Sequence, residues 1–423
     1  MFKGRNAAAT ILITALVIRI IIAVVVDHQT AQAGRQFLVE GDANGYWELA
    51  ERIRSGAAYE LYDPPRRILR TPGFPLLLAG AMSIVGSSVF RVSLVLAVVC
   101  SVCCWLTLQL GREISGSRCG LLAAGLAAFS PLQSGIGVQV LSEGWFSVWL
   151  VAAVLAVVRL QKRLRRSDVK LSAREILIPG LLTGLVIGSG VLVRPGWILF
   201  APLTVLILFV GKRERRSVWA CGAAVLLGTW LVLLPWAWRN HGVCGHWVYT
   251  SLWSGASLYD GLNPEASGGS NMEFFEQDAL MRRMSEYEAD RYYRAAAVRY
   301  AVENPGRTLQ LACLKAGRFL SLSLNDVTFS SPWIVWICRC WYLVLLSFGV
   351  IGLRYSGIGL PHLATLVAPF FLFLLVHLVF VGSVRYRLPV EFPLYVIAAA
   401  GIEVVLEHFV LTKDRSRGTG QAG

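Results

Sequence analysis

Long apolar runs dominate the chain, separated by short polar breaks. A bilayer-crossing helix needs about 20 predominantly apolar residues. Runs of that kind lie at 7–26, 92–111, 119–138, 143–160, 175–193, 196–211, 217–236, 333–350, 361–381 and 389–408. The pattern predicts an all-α, polytopic transmembrane bundle of about ten spans. An eleventh apolar run, 73–88, is short and follows Pro72 and carries Pro75. If it crossed the membrane, the most basic connection (159–174, RLQKRLRRSDVKLSAR) would face outward, against the bias of Lys and Arg toward the cytoplasm. It is therefore expected to be a juxtamembrane or re-entrant helix.

The same bias places Lys3, Arg5, Lys212, Arg213, Arg215 and Arg216 and the tail Lys413, Arg415 and Arg417 inside. Both termini are then cytoplasmic, and 411–423 is a short basic tail. Arg19 interrupts the first run, so that run is expected to stay as an anchor rather than be cleaved as a leader. Residues 1–410 form the membrane domain. Two long segments, 27–91 and 237–332, face outward, and each is expected to carry juxtamembrane helices. One helix is expected from Gly45 to Ser55, stopped by Gly56, and another starts at the capping box Ser285-Glu286-Tyr287-Glu288 and stops near Asn304-Pro305.

Composition agrees. Hydrophobic residues make up 55% of the 423 and charged residues only 16%, too few to cover a soluble protein of this size. The net charge of +14 fits loops lying on an anionic membrane surface, and nucleic acid is not the expected partner. Most of the nine Cys sit in apolar runs. They read as small hydrophobes. His241 and His246 lack a partner at ligand spacing and read as loop histidines.

The remaining charges gather where spans meet the outer segments. Asp42 stands where an N-cap belongs, which is compatible with a second role as a catalytic base. Glu143 opens a span, as a cap or as a functional acid. Arg70, Arg194, Arg239, Arg385 and Arg387 also stand at outer span ends, where Lys and Arg are normally depleted in short connections. The guanidinium fork can bind two phosphate oxygens at once. Two acids and several arginines on one face suggest acid/base chemistry beside a phosphate. No Gly-rich nucleotide loop and no internal repeat is present.

The order of Asp42-x-x-x-Tyr46, Arg70-Thr-Pro-Gly-Phe-Pro75, Leu141-Ser-Glu143, Arg194-Pro195, Pro235-Trp-x-x-Arg239-Asn240, Leu258-Tyr…Asn263-Pro264…Gly268 and Arg385-Tyr-Arg-Leu-Pro389 resembles the GT-C superfamily of integral-membrane glycosyltransferases. Within it, the chain looks like the family 39 and Rgt-like group, with protein mannosyltransferases and the lipid A aminoarabinose transferase as relatives. The resemblance implies an inner-membrane enzyme that takes a sugar from a polyprenyl-phosphate donor and inverts the anomeric carbon. A glycan, lipid or protein hydroxyl on the outer face would receive it. By that analogy Asp42 is the general base. Glu143 orients the acceptor or, in some relatives, shares a divalent metal with Asp42. Arg70, with Arg194, Arg239, Arg385 or Arg387, holds the phosphate. Glu40, Tyr46, Tyr259 and Asn263 are candidates for acceptor or loop contacts. A transporter or flippase of lipid-linked sugars is the alternative, and it calls for charges along a path through mid-membrane.

Overall fold

The first apolar run becomes α1 (Phe2–Gln32), about 46 Å long at 1.5 Å per residue. The structure is a computed structural model that describes residues 2–165, 171–210, 214–323 and 331–419. Residues 166–170, Lys212, Arg213 and the side chains of Lys3, Arg5, Lys413, Arg415 and Arg417 lie outside the described residues.

The first long segment folds into α2 (Asp42–Ser55) and α3 (Gly73–Val85). Gly56 stops α2 in the left-handed conformation, as its position predicts. At 13 residues, α3 covers about 20 Å and is too short to cross a bilayer upright. Then come α4 (Val89–Ser115), α5 (Ser117–Phe129), α6 (Pro131–Gly137), α7 (Ser142–Leu164) and α8 (Ala173–Val191). A 3₁₀ turn, Pro195–Leu199, leads into the short α9 (Phe200–Leu208) and then α10 (Arg215–Cys244). The second long segment holds α11 (Ser254–Gly261), α12 (Glu273–Gln277), α13 (Glu286–Glu303) and α14 (Pro305–Leu320). The Ser285–Glu288 capping box forms, and Asn304-Pro305 ends α13. Three helices complete the chain: α15 (Pro332–Tyr355), α16 (Leu360–Val379) and α17 (Val384–Thr419).

Among the described residues eight helices are long and apolar enough to cross a membrane, or nine if α5 and α6 form one broken span. Two of the expected runs look different in three dimensions. The run 119–138 bends by 61° between α5 and α6, because Pro131 has no N–H for the carbonyl four residues back. That carbonyl, on Ala127, accepts instead from Arg19 Nη2 at 3.3 Å, while Arg19 Nη1 donates to Ala15 O at 3.0 Å. Arg19 is fully buried. It binds the break rather than reaching out to the interface. The run 196–211 is divided between the 3₁₀ turn and α9.

Helices α8 and α10 pack backbone to backbone. A Cβ on Gly184 would lie 2.1 Å from Val225 O, and one on Gly228 would lie 2.3 Å from Leu181 O. Such small-residue seams let helix backbones approach where lipid offers no hydrophobic drive. Cys100, Cys103, Cys104, Cys119 and Cys221 are buried and in no disulfide. Arg159 and Lys162 of α7 pair with Glu113 of α4 at the end of the bundle remote from Asp42.

Candidate active site

Five charged side chains, far apart in the chain, meet where α2, α7 and α17 begin and where α3 and α8 approach each other. Asp42 is the first residue of α2, and its side chain makes no cap. Arg70 Nη2 donates to Asp42 Oδ1 at 2.8 Å, and Arg385 Nη2 donates to Oδ2 at 2.5 Å. Arg385 Nε also donates to Glu143 Oε1. Arg194 Nη2 reaches the same oxygen at 3.3 Å. Glu143 likewise makes no cap: α7 has none from a side chain, and the carboxylate is 2% exposed. Each guanidinium also lies against a ring. Arg70 is 4.4 Å from Tyr46, and Arg194 is 5.1 Å from Tyr386, in the range of cation–π attraction.

The local fold explains the placement of each arginine. The segment 56–72 doubles back through paired Leu61 and Arg66 backbones at 2.8 and 3.0 Å. Tyr59 OH donates to the carbonyls of Arg70 (3.1 Å) and Thr71 (3.3 Å). Gly73 N then donates to Leu192 O at 2.8 Å, bringing the start of α3 onto the end of α8 next to Arg194. A Cβ on Gly73 would fall 2.6 Å from that carbonyl oxygen. Gly73→Ala is expected to destabilise the protein by about 1–3 kcal/mol through overpacking and to shift Arg70. A melting curve checks this. On the other side, the turn ahead of Arg385 is braced from α14. Lys315 Nζ donates to Val379 O at 2.7 Å and Arg318 Nε to Gly382 O at 3.0 Å.

Asp42, Tyr46, Arg70, Arg194, Arg385 and Tyr386 line a cavity of about 1200 Å³. Glu143 does not line it and sits behind Arg385 and Arg194. Phe373, Val376 and Phe380 give the same cavity an apolar wall. Three guanidinium groups against two carboxylates leave the cluster with one positive charge. Burial alone would push the Asp42 carboxyl up, but Arg385 and Arg70 together hold it well below the usual carboxylate range. Unfolded, the group would have an ordinary pKa near 4. Its pairing therefore adds stability that is present above about pH 4 and is lost as pH falls further. Between about pH 6 and about pH 3 the wild-type protein is expected to lose more thermal stability than Asp42→Asn.

The other predicted residues lie elsewhere. Arg239 braces the first segment: Nη1 donates to Arg67 O at 2.6 Å and Nη2 to Tyr59 O at 3.2 Å. Arg387 points into the bundle, donating to Glu391 Oε1 at 2.7 Å and to the carbonyls of Phe319 and Ser321 at 2.8 Å. Glu40 is exposed. Tyr259 packs on Phe274 and Tyr293. Asn263 Nδ2 donates to Tyr259 O at 2.7 Å, closing the end of α11. His246 stacks on Tyr287 at 3.7 Å. A divalent ion shared by Asp42 and Glu143 does not fit this arrangement. Arg385 fills the space between them, and among the described residues no three His, Cys, Asp or Glu side chains come together.

Two contributors escaped the sequence reading: Tyr386, beneath Arg194, and Tyr59, which fixes the Arg70 backbone. Tyr386 lies between the two arginines of Arg385-Tyr-Arg387, and its alternation with them is the signal that could have found it.

The described helices form a multi-pass α-helical membrane bundle whose span ends converge on acids and arginines. Residues 69–238 match the family described as dolichyl-phosphate-mannose-protein mannosyltransferase, a stretch that includes Arg70, Glu143 and Arg194 but neither Asp42 nor Arg385. Among solved structures, the oligosaccharyltransferase of Archaeoglobus fulgidus tethered with an acceptor peptide is 16% identical. It superposes with a TM-score of 0.59, covering 96% of this chain and 50% of that one. The apo form of that enzyme gives a TM-score of 0.58 at 15% identity, covering 97% of this chain and 52% of that one. The archaeal oligosaccharyltransferase AglB from the same organism, in complex with an inhibitory peptide and a dolichol-phosphate, gives a TM-score of 0.58 at 14% identity, covering 97% of this chain and 52% of that one. The chain thus spans about half the length of these proteins, and the likeness is one of fold. No curated protein sequence matches the chain.

Proposed function

We propose that the chain is a glycosyltransferase that moves a sugar from a polyprenyl-phosphate donor to an acceptor hydroxyl on the outer face of the cell membrane, with both termini cytoplasmic. The observation that carries this reading is Asp42 held between Arg70 and Arg385 on the wall of a 1200 Å³ cavity. A donor of this kind has a phosphodiester with one negative charge, matching the single positive charge left on the cluster. Its tail has an apolar wall to follow along Phe373, Val376 and Phe380.

The chemistry is a single displacement. The acceptor oxygen bonds to the anomeric carbon as the bond from that carbon to the phosphate oxygen breaks. The electron pair leaves with the phosphate, so the leaving group needs no proton. Attack from the face opposite the phosphate inverts the centre. Arg70, Arg194 and Arg385 stabilise the charge that develops on the phosphate, and Asp42 takes the acceptor proton as general base. Glu143, out of the cavity, positions Arg194 and Arg385. Asp42 is a poor base while two arginines hold it. When the donor phosphate draws them away, the carboxylate regains basicity at the moment it is needed.

A flippase would need a polar path through the bundle. The charges buried deeper, Arg19 and the Arg387–Glu391 pair, are instead committed to partners inside the protein. The test is incubation of the purified chain, in nanodiscs with mixed envelope glycans, with a panel of polyprenyl-phosphate sugars. The account expects one donor to be consumed with release of polyprenyl phosphate, and no consumption by Asp42→Asn. Movement of intact donor across the bilayer without cleavage would contradict it.

A further inference from the structure

The cavity has a second charged wall, which the transfer chemistry does not use. One face of α13 lines it, with Tyr287, Asp290, Arg291, Arg294, Val298 and Arg299 turned toward the same space as Asp42. Arg294 pairs with Asp290 at 2.7 Å and also donates to Ser254 Oγ at 2.7 Å. Arg291 and Arg299 make no ion pair among the described residues, and Arg291 has only the Tyr287 ring, at 6.0 Å. Three arginines against one aspartate leave this wall with two positive charges. One phosphodiester at the Asp42 end leaves them unmatched.

This wall is firmly built. Glu286 at the start of α13 accepts from Arg67 N at 2.9 Å and Ile68 N at 3.1 Å, tying the helix to the first outer segment. Asp290 Oδ1 accepts from Gly255 N at 2.6 Å, tying it to α11. Arg291 and Arg299 are eight positions apart, about 12 Å along the helix, the reach of a short oligosaccharide. The same cavity is also lined by aromatic and polar residues, Trp247, Tyr249 and Trp253 with Thr250 and Ser251. Aromatic faces with hydroxyl and backbone groups suit a sugar ring, which has apolar faces and a polar rim. An acyl chain would call for an apolar wall throughout.

We propose that this face of α13 is the acceptor subsite and that the acceptor is an anionic glycan, bearing a phosphate or carboxylate that Arg291 and Arg299 bind. The assignment rests on the transfer reading above and specifies its acceptor. Arg291 and Arg299 then set specificity and orient the acceptor hydroxyl toward Asp42 without taking part in the chemistry.

The test uses the purified chain in nanodiscs of zwitterionic lipid with polyprenyl phosphate present. Two probes are titrated: chitobiose carrying one phosphate monoester, and plain chitobiose. The phosphorylated sugar is expected to bind at least about tenfold more tightly, with a preference that shrinks as salt is raised. The double variant Arg291→Gln/Arg299→Gln should bind both sugars alike, and Arg291→Lys/Arg299→Lys should keep the preference. Equal binding of the two sugars by the wild-type chain, or a preference that survives the Gln double variant, would overturn the proposal. In parallel nanodiscs doped with phosphatidylglycerol, if the Gln variant loses bound phosphatidylglycerol, read by native mass spectrometry, while the sugar preference survives, the stripe holds lipid headgroups and the proposal also falls. Polyprenyl phosphate binding separates the two readings. If it is intact while the sugar preference is absent, only the acceptor assignment fails. If the wild-type chain does not bind polyprenyl phosphate at all, the transfer reading itself fails.

Discussion

Asp42→Asn is expected to lower sugar transfer by about 10²–10⁴-fold, the range for loss of a general base, while tightening the hold on polyprenyl phosphate about tenfold. The two effects have opposite signs because Asp42 does two things. In the proposed reaction it takes the acceptor proton. It is also the anion that occupies Arg70 and Arg385 in the free protein, at 2.8 and 2.5 Å. An incoming phosphate must displace it. Asparagine keeps the shape but gives up the charge, so the arginines are freer to bind phosphate. Radiolabelled donor turnover and a titration with undecaprenyl phosphate read the two effects separately. Weaker phosphate binding in the variant would mean that the phosphate does not compete with Asp42 for these arginines.

Arg385→Gln is expected to have the largest effect on the protein itself. Arg385 is bonded to both acids. Without it, Glu143 keeps only Arg194, at 3.3 Å, in surroundings where it is 2% exposed. Removing one partner of a buried ion pair typically costs about 3–5 kcal/mol, because the other charge is left without compensation. Binding of undecaprenyl phosphate should fall at least about 100-fold, as a charge-assisted, two-pronged contact disappears. The companion Glu143→Gln/Arg385→Gln separates the causes. It should recover most of the lost stability, since the stranded carboxylate is gone, but not the binding. If binding recovered along with stability, Arg385 would be a structural strut and not a phosphate ligand.

The arginines show what a sequence can and cannot carry. Five of them stand at span ends on one face, and hydropathy reads all five alike. Three dimensions divide them. Arg70, Arg194 and Arg385 line the cavity, Arg239 holds the first outer segment onto α10, and Arg387 is locked to Glu391 within α17. The Arg387–Glu391 spacing of four residues is a helical signature. It is hidden if the last span is taken to begin at Pro389, whereas α17 begins at Val384. The Asp42–Arg385 pair joins residues 343 apart in the chain, and no local pattern encodes such a contact. Local signals carried well. The Ser285 capping box, the Gly56 stop and the long apolar helices are set by propensity, capping and burial in lipid, which act over a few turns. The bend at Pro131 is local too, but an average of hydropathy does not register it. Only the missing N–H and the Arg19 guanidinium that compensates for it explain why 119–138 is not one straight helix.

The most direct measurement is a structure of the protein with undecaprenyl phosphate bound. The account predicts the phosphate against Arg70, Arg194 and Arg385, with Asp42 released from at least one of its two guanidinium partners and the isoprenoid chain along Phe373 and Phe380. A phosphate seated elsewhere, with the Asp42–Arg385–Glu143 contacts unchanged, would contradict it.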